Sequence, residues 1–407
     1  MIRRRGAAPN RPADPGSLSH VMTEGAASVD SSVLVRAEGG LGRLTLNRPR
    51  AINALDLGMI RELTAALDAW EGDPDVHAVL LDGEGDRGFC AGGDVRTLHE
   101  QIVGGDPEAT GEFFRSEYAL NARIAEYPKP VIALADGITM GGGIGLAGHA
   151  RVRVVTERSK LAMPETRIGF TPDVGGTWLL GRAPGRLGEY LGLTGATVGA
   201  ADAVYAGFAD VIVPSERLGE LREALVLRRA QQPGAGTQRP GEGDVVERLE
   251  RFLSSSKGGM TTGAPSLEPA RPWIDDAFSA DTVAEIVDRL RALASSRTLG
   301  ERQRDEARAT ADTLAELSPT ALAVTLAAVR RARELPSLRD ALAQEYGLVM
   351  WFATTQPDLV EGIRAQLIDK DRDPHWKPAT IAELEPDAAA SALAYRPTIP
   401  LWGAPPV

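Results

Sequence analysis

Cys90 is the only cysteine among 407 residues, so neither an intrachain disulfide nor a cysteine-built zinc cluster can form. Such a chain suits a reducing compartment. Histidine is scarce as well. His20, His77, His99, His149 and His375 show neither metal-ligand spacing nor a G-x-S-x-G serine partner, so neither a metal site nor a serine triad is expected. No apolar run approaches the ~20 residues that cross a bilayer, and no membrane partner is expected. Positive charge is in deficit. A formal net charge of −11 argues against a protein that coats nucleic acid, which needs concentrated Lys and Arg, while a local basic pocket for one phosphorylated ligand stays compatible.

What is present is the composition of a soluble globular protein: 43% hydrophobic and 25% charged residues can bury a sizeable core. Residues 1–30, rich in Arg and Pro and without an apolar signal core, read as a disordered extension, with Met22 as an alternative start to Met1. From Ser31 the signals become orderly. "SVLVRAEGGLGRLTLNRP" reads as a hairpin, and Asp56 is placed to cap a helix that carries Ile60, Leu63, Leu67 and Trp70 on one face. "VHAVLLDGEG", "PVIALADG" and "RVRVVTERSKLAM" are short apolar strands separated by helical segments. This alternation predicts an α/β domain over 31–215 with helices covering a parallel sheet. Residues 216–380 read as helical, interrupted by a Gly/Pro-rich linker near 232–270, and 381–407 form a tail. Ser279 or Asp281 can cap "TVAEIVDRLRAL", Ser318-Pro319-Thr320 opens "ALAVTLAAVRRAREL", and the "RRARELPSLRD" charge run reads as a solvated helix face.

Gly143-x-Gly145-x-x-Gly148 matches a dinucleotide fingerprint, but the strand-like "RVRVV" follows too soon for the usual crossover helix. The glycines admit another use. "CAGGD" (90–94) and "GGG" (141–143) lie at strand-to-helix junctions, where backbone N–H groups lack helical partners. Two such amides converging on one oxygen make an oxyanion hole; otherwise both clusters are tight turns. Glu165 in "MPETRIGF" and Asp173 in "TPDVGG" sit in loop segments within an apolar context, where a carboxylate is costly unless paired or used. The bland alternatives are a surface Glu165 and an Asp173 that caps a helix starting at Val174. Cys90 is more simply a small packing residue than a nucleophile.

Jointly, "LNRPRAINAL", "GFCAGGDV", "ITMGGGIGL" and "MPETRIGFTPDVGGT" resemble the crotonase (enoyl-CoA hydratase/isomerase) superfamily over roughly 33–378. "LSPTALAVTL", "EYGLVMWF" and "EGIRAQLIDKDRDPHWKP" are similar to the tail of its acyl-CoA thioester hydrolase branch. The resemblance implies an α/β crotonase (ClpP/crotonase-like) fold of repeated ββα units with a helical C-terminal portion. It implies that the amides of Gly93 and Gly142 form the oxyanion hole and that Glu165 and Asp173 are the catalytic acids. Glu117 in "RSEYAL", together with Gly92, Gly142, Glu165 and Asp173, would contact substrate. The loops around Arg48–Asn53 and Ala91–Asp94 would flank the CoA arm.

One position divides the relatives. Simple hydratases carry a second glutamate two residues after the triple glycine, where this chain has Gly145, and usually "PGAGG" where it has "PDVGG". Adding water across a double bond suits two placed carboxylates, so hydrolysis is the expected reaction, and the resemblance implies a short 3-hydroxyacyl-CoA thioester as its substrate. A hydratase or isomerase on the same fold is the alternative, and a non-catalytic acyl-CoA-binding protein a second. No cofactor and no metal is implied, because CoA is part of the substrate. An acyl-CoA substrate is the expected partner, with a homo-oligomer in keeping with the superfamily. Lys129, Lys160, Lys257, Lys370 and Lys377 are the only lysines; this Arg-dominated composition suggests a GC-rich bacterial genome and cytoplasmic location, the alternative being mitochondrial if the N-terminus is a transit peptide.

Overall fold

The computed structural model describes residues 31–226, 243–255 and 263–403. The extension expected over 1–30 and the choice between Met1 and Met22 lie outside these residues. The hairpin forms as its pattern predicts: β1 (Val33–Glu38) pairs antiparallel with β2 (Leu41–Leu46). Asp56 then caps α1 (Leu57–Glu71) by accepting the Met59 N–H at 2.9 Å, and Ile60, Leu63, Leu67 and Trp70 are all buried.

From here the chain repeats one unit, a strand in a large sheet followed by a strand in a small one and then helix. The first repeat is β3 (Ala78–Gly83), β4 (Gly88–Cys90), α2 (Val95–Val103) and α3 (Pro107–Glu126). The second is β5 (Val131–Ala135), β6 (Ile138–Met140) and α4 (Gly142–Ala147). In the third, β7 (Val152–Val155) and β8 (Lys160–Ala162) lead into a 3₁₀ turn, Glu165–Ile168, and α5 (Gly176–Arg182). After α6 (Leu187–Thr194) and α7 (Ala200–Tyr205), β9 (Val211–Ile212) completes the large sheet. Its order is β1-β2-β3-β5-β7-β9, parallel except for the first pair, and the small sheet is β4-β6-β8, all parallel. This is the expected α/β crotonase architecture.

Strands covered on both faces carry apolar residues at successive positions, divided between two clusters by the period-2 alternation. Val79, Leu81, Val131 and Ala133 face the main core, whereas Ala78, Leu80, Ile132 and Leu134 face a second cluster. The second is closed by α8 (Leu218–Leu225) and α9 (Gly243–Ser255) through Leu221, Leu225, Val245 and Leu249. The stretch 232–270, expected as a single linker, therefore contains α9, and α10 (Leu267–Phe278) begins inside its far end. The apolar spacing of Val245, Leu249 and Phe252 is what turns that segment helical against the sheet.

The C-terminal helices α11 (Val283–Ala294), α12 (Glu301–Glu316), α13 (Pro319–Ala332), α14 (Leu338–Thr355), α15 (Asp358–Ile363) and α16 (Ala388–Ala394) follow. The main core runs without a break from Val33 to Ala392. α13 packs on α5 and α6, and α14 on α3, so the helical part roofs the loops that follow the small sheet. Two local expectations are corrected. Thr282, rather than Ser279 or Asp281, caps α11, because Glu285 completes a capping box with it. The arginine run is not simply a solvated face: Arg333 donates to the fully buried Glu189 at 2.6 Å, and Arg330 donates to the Phe278 and Ala280 carbonyls. A buried carboxylate needs such partners. His375-Trp376-Lys377-Pro378 docks the tail, since the buried Trp376 donates its indole N–H to the Glu316 carbonyl.

Candidate active site

Because β4, β6 and β8 are parallel neighbours, their carboxyl ends point the same way. The segments that follow them, 91–94, 141–142 and 164–165, therefore come together at one edge of the small sheet. They line a cavity of about 550 Å³ with Glu117, Phe113 and Phe114 from α3, and with Phe170, Asp173 and Val174. Every residue expected at the site, Gly92, Gly93, Glu117, Gly142, Glu165 and Asp173, is on its wall.

Two amides are free to serve it. Leu55 donates to the Gly92 carbonyl and accepts from the Asp94 N–H, each at 2.8 Å, so the intervening Gly93 N–H faces away from that bridge. Gly142 is the first residue of α4, whose cap Gly141 offers no side chain, and its N–H has no intrahelical partner. The two approach each other: a methyl group on Gly142 would stand 3.3 Å from the Gly93 nitrogen, and one on Gly92 3.5 Å from the Gly142 nitrogen. That same methyl on Gly142 would run into Glu117 Oε1, so glycine keeps the space between them open.

The acids are buried. Glu117 is 2% exposed, and Glu165 and Asp173 are 6% exposed each, so the bland readings of a surface Glu165 and a capping Asp173 both fail. α5 begins at Gly176 and takes nothing from the Asp173 side chain, which instead accepts the Tyr118 hydroxyl at 2.8 Å. Among the described residues, Glu117 Oε1 and Glu165 Oε2 have no hydrogen-bond partner. Burial pushes the Glu165 carboxyl well above the usual carboxylate range, and the Asp173 charge pushes it further; Glu117 is raised by the same two causes. Burial also lifts Asp173, to about 7, against the stabilising Tyr118 hydrogen bond. The Tyr118 bond favours the Asp173 anion, and a charge on Asp173 favours the proton on Glu165.

Four residues that sequence reasoning passed over complete the site. Tyr118 holds Asp173. Asn121, one turn beyond Glu117 on the same face of α3, is fully buried with both amide atoms unpartnered. Val174 adopts a left-handed conformation (φ 54°), rare for a β-branched residue. Its carbonyl accepts from His149 Nε2 at 2.8 Å, and burial lowers the His149 pKa to about 4, which keeps the ring neutral. Glu345, inside the apolar run of α14, accepts the amides of Gly175 and Thr177 at 2.6 and 2.8 Å and so fixes the turn after Asp173. A lone acid amid "EYGLVMWF" was the available signal for it.

The expected CoA-flanking loops reach the cavity through Ala51, Ala54 and Ala91–Asp94, while Asn53 and Arg48 hold the loop itself. Cys90 is buried, and its thiol is pushed up to about 12, in keeping with a packing role. Among the described residues no His/Cys/Asp/Glu group with metal-binding geometry occurs, and no helix is long and apolar enough to cross a membrane.

Two glycine amides opposite buried carboxyls, on a spiral of ββα repeats, define an acyl-CoA enzyme class, and comparison bears this out. The model of the enoyl-CoA hydratase/isomerase family matches residues 41–393, and the chain belongs to that family. Among curated relatives, it is 38% identical to the 3-hydroxyisobutyryl-CoA hydrolase, mitochondrial, of Xenopus laevis over 88% of this chain and 87% of that one. It is 37% identical to the human protein of the same name over 90% of this chain and 89% of that one. Of solved structures, a carnitinyl-CoA dehydratase from Mycobacterium thermoresistibile is 43% identical, with a TM-score of 0.79 over 92% of this chain and 99% of that one. An enoyl-CoA hydratase from Rhodobacter sphaeroides 2.4.1 is 42% identical, with a TM-score of 0.73 over 90% and 98%.

Proposed function

We propose that this protein hydrolyses the thioester of 3-hydroxyisobutyryl-CoA, and of other short 3-hydroxyacyl-CoAs, to the free acid and CoA, a step of valine breakdown. The observation that carries the reading is the pairing of two unspent glycine amides with Glu165 and Asp173 while position 145 holds no acid. The curated relatives' names agree with it. In this proposal the thioester oxygen lies between the Gly93 and Gly142 amides, which stabilise the charge that develops on attack. Glu165, once ionised, takes a proton from water as the water attacks the carbonyl carbon. The same proton then passes to the departing CoA sulfur as the C–S bond breaks. In the alternative route Glu165 itself attacks, giving a mixed anhydride that water opens.

The Tyr118 hydrogen bond favours Asp173 as an anion. That anion suits orienting the water or the substrate hydroxyl rather than protonating the thiolate. Phe113, Phe114 and Phe170 give the cavity apolar walls, which favour a short acyl group. No metal or redox cofactor enters the proposal. The Arg-rich composition supports placing the reaction in a bacterial cytoplasm, although the curated relatives are named as mitochondrial.

A single turnover in ¹⁸O-water, with hydroxylamine trapping alongside, separates the two routes. Label in the Glu165 carboxyl supports an anhydride opened at the glutamyl carbon, and an unlabelled Glu165 that also gives no hydroxamate sinks the anhydride route. In either, Glu165→Ala is expected to lower turnover by ~10²–10⁴-fold, and near-normal activity would remove Glu165 from the mechanism. The hydratase reading is favoured by the names of the two solved relatives above. It lacks the second acid at Gly145.

A further inference from the structure

Gly145 lies on α4, three residues after the Gly142 amide, and the direction its side chain would take is occupied. A methyl group there would stand 2.7 Å from Val174 Cβ, and 2.9 and 3.1 Å from the amide nitrogen and oxygen of Asn121. Contacts of that length with a Cβ and a buried amide force neighbours to move. Both obstacles are held in place at a cost. Val174 keeps a left-handed backbone that a β-branched residue disfavours, and it is pinned from both sides. His149 grips its carbonyl, and Glu345 grips the next amide, at Gly175. Asn121 is sealed from solvent with its amide unpartnered, an expense that a purely packing residue would not incur. Each also adjoins an acid of the site, Val174 following Asp173 and Asn121 lying one turn beyond Glu117.

We propose that Val174 and Asn121 form a steric gate that keeps position 145 free of an acid, and that this gate confines the site to chemistry at the thioester carbonyl. This deepens, and rests on, the hydrolase reading. A glutamate at 145 would bring a further carboxyl beside Asp173 and Glu117, able to deliver or remove a proton at the acyl carbons and so to support addition of water across a double bond. The gate excludes it by volume rather than by charge. Reaction class is therefore set by three positions together, and changing Gly145 alone does not convert the enzyme.

The test has a steric arm and a chemical arm. Thermal unfolding is measured for Gly145→Ala in the parent and in a Val174→Gly/Asn121→Ala background. Val174→Gly is used because alanine would keep the offending Cβ. The gate predicts that Gly145→Ala lowers Tm by several degrees in the parent and by much less in the opened background. Equal losses in the two would overturn it. In the chemical arm, Gly145→Glu in the opened background is given crotonyl-CoA. Hydration at least about tenfold faster than in the same background with Gly145 is expected, a modest demand beside the ~10²–10⁴-fold of a well-placed acid. No gain, from protein that folds cooperatively, would refute the chemical half. Thiol release by the parent on the hydroxy ester is recorded in parallel. Failure there condemns the hydrolase reading, whereas the unfolding cycle speaks to the gate alone.

Discussion

Glu165 and Asp173 stand out as carboxylates between Pro and Gly in an apolar context, which leaves a functional and a bland role equally open until the resemblance assigns them to chemistry. Their division of labour was not legible, since it depends on Tyr118, which belongs to another element and donates to Asp173. That bond favours the Asp173 anion, while Glu165 has a raised pKa, due first to burial and then to the Asp173 charge. Activity that needs ionised Glu165 is therefore expected to rise with pH above the ordinary carboxylate range. In Asp173→Asn the second cause disappears, so the acid limb of the kcat/KM profile of the residual activity should move to lower pH; an unmoved limb would contradict the coupling. The same substitution has a stability signature. A carboxyl raised from 3.8 to about 7 by folding contributes stability below its unfolded pKa and loses it as the pH rises through the folded value. Asp173→Asn should thus unfold at a higher temperature than the parent, by a margin that grows from about pH 4 to pH 7 and is flat above. A margin independent of pH would show that Asp173 is not a buried, strained acid.

At the scale of elements, the hairpin, α1 and the strands of the large sheet were readable from periodicity and capping. The small sheet was not: β4, β6 and β8 have three residues each, too short for alternation to register. Yet these three strands set the Gly92–Gly93, Gly141–Gly142 and Glu165 segments side by side. The cap of α5 was equally hidden, because it arrives from α14, 168 residues away in sequence, as Glu345. Burial pushes Glu345 up to about 8, against donors that favour its anion. Glu345→Gln keeps the size but sets an NH₂ against a backbone N–H, an uncompensated donor that costs about 1–3 kcal/mol. Because the strained Val174 turn carries Asp173, the variant should lose kcat with little change in KM, and Glu345→Asp should recover part of the loss. A fall in Tm with kcat intact would make Glu345 a structural cap only.

Across the whole molecule, one core joins the ββα spiral to the C-terminal helices, and those helices supply the site with more than a cover. Gln366 and Leu367 line the cavity from the wide turn after α15, and Arg96 of α2 donates to the Leu367 carbonyl across its mouth. The segment after α15 therefore lines the same cavity as Glu165 and Asp173. The relatives divide between hydrolases and hydratases by name while sharing this fold, so the decision rests on chemistry at a few positions. It can be read directly by giving the purified protein 3-hydroxyisobutyryl-CoA, crotonyl-CoA and acetyl-CoA, following free thiol and identifying the acyl products. The account predicts rapid CoA release from the hydroxy ester, little from acetyl-CoA, and no hydrated ester from crotonyl-CoA. Conversion of crotonyl-CoA to its 3-hydroxyacyl ester without thiol release from the hydroxy ester would contradict it, and would mean that Glu165 and Asp173 suffice for hydration with glycine at 145.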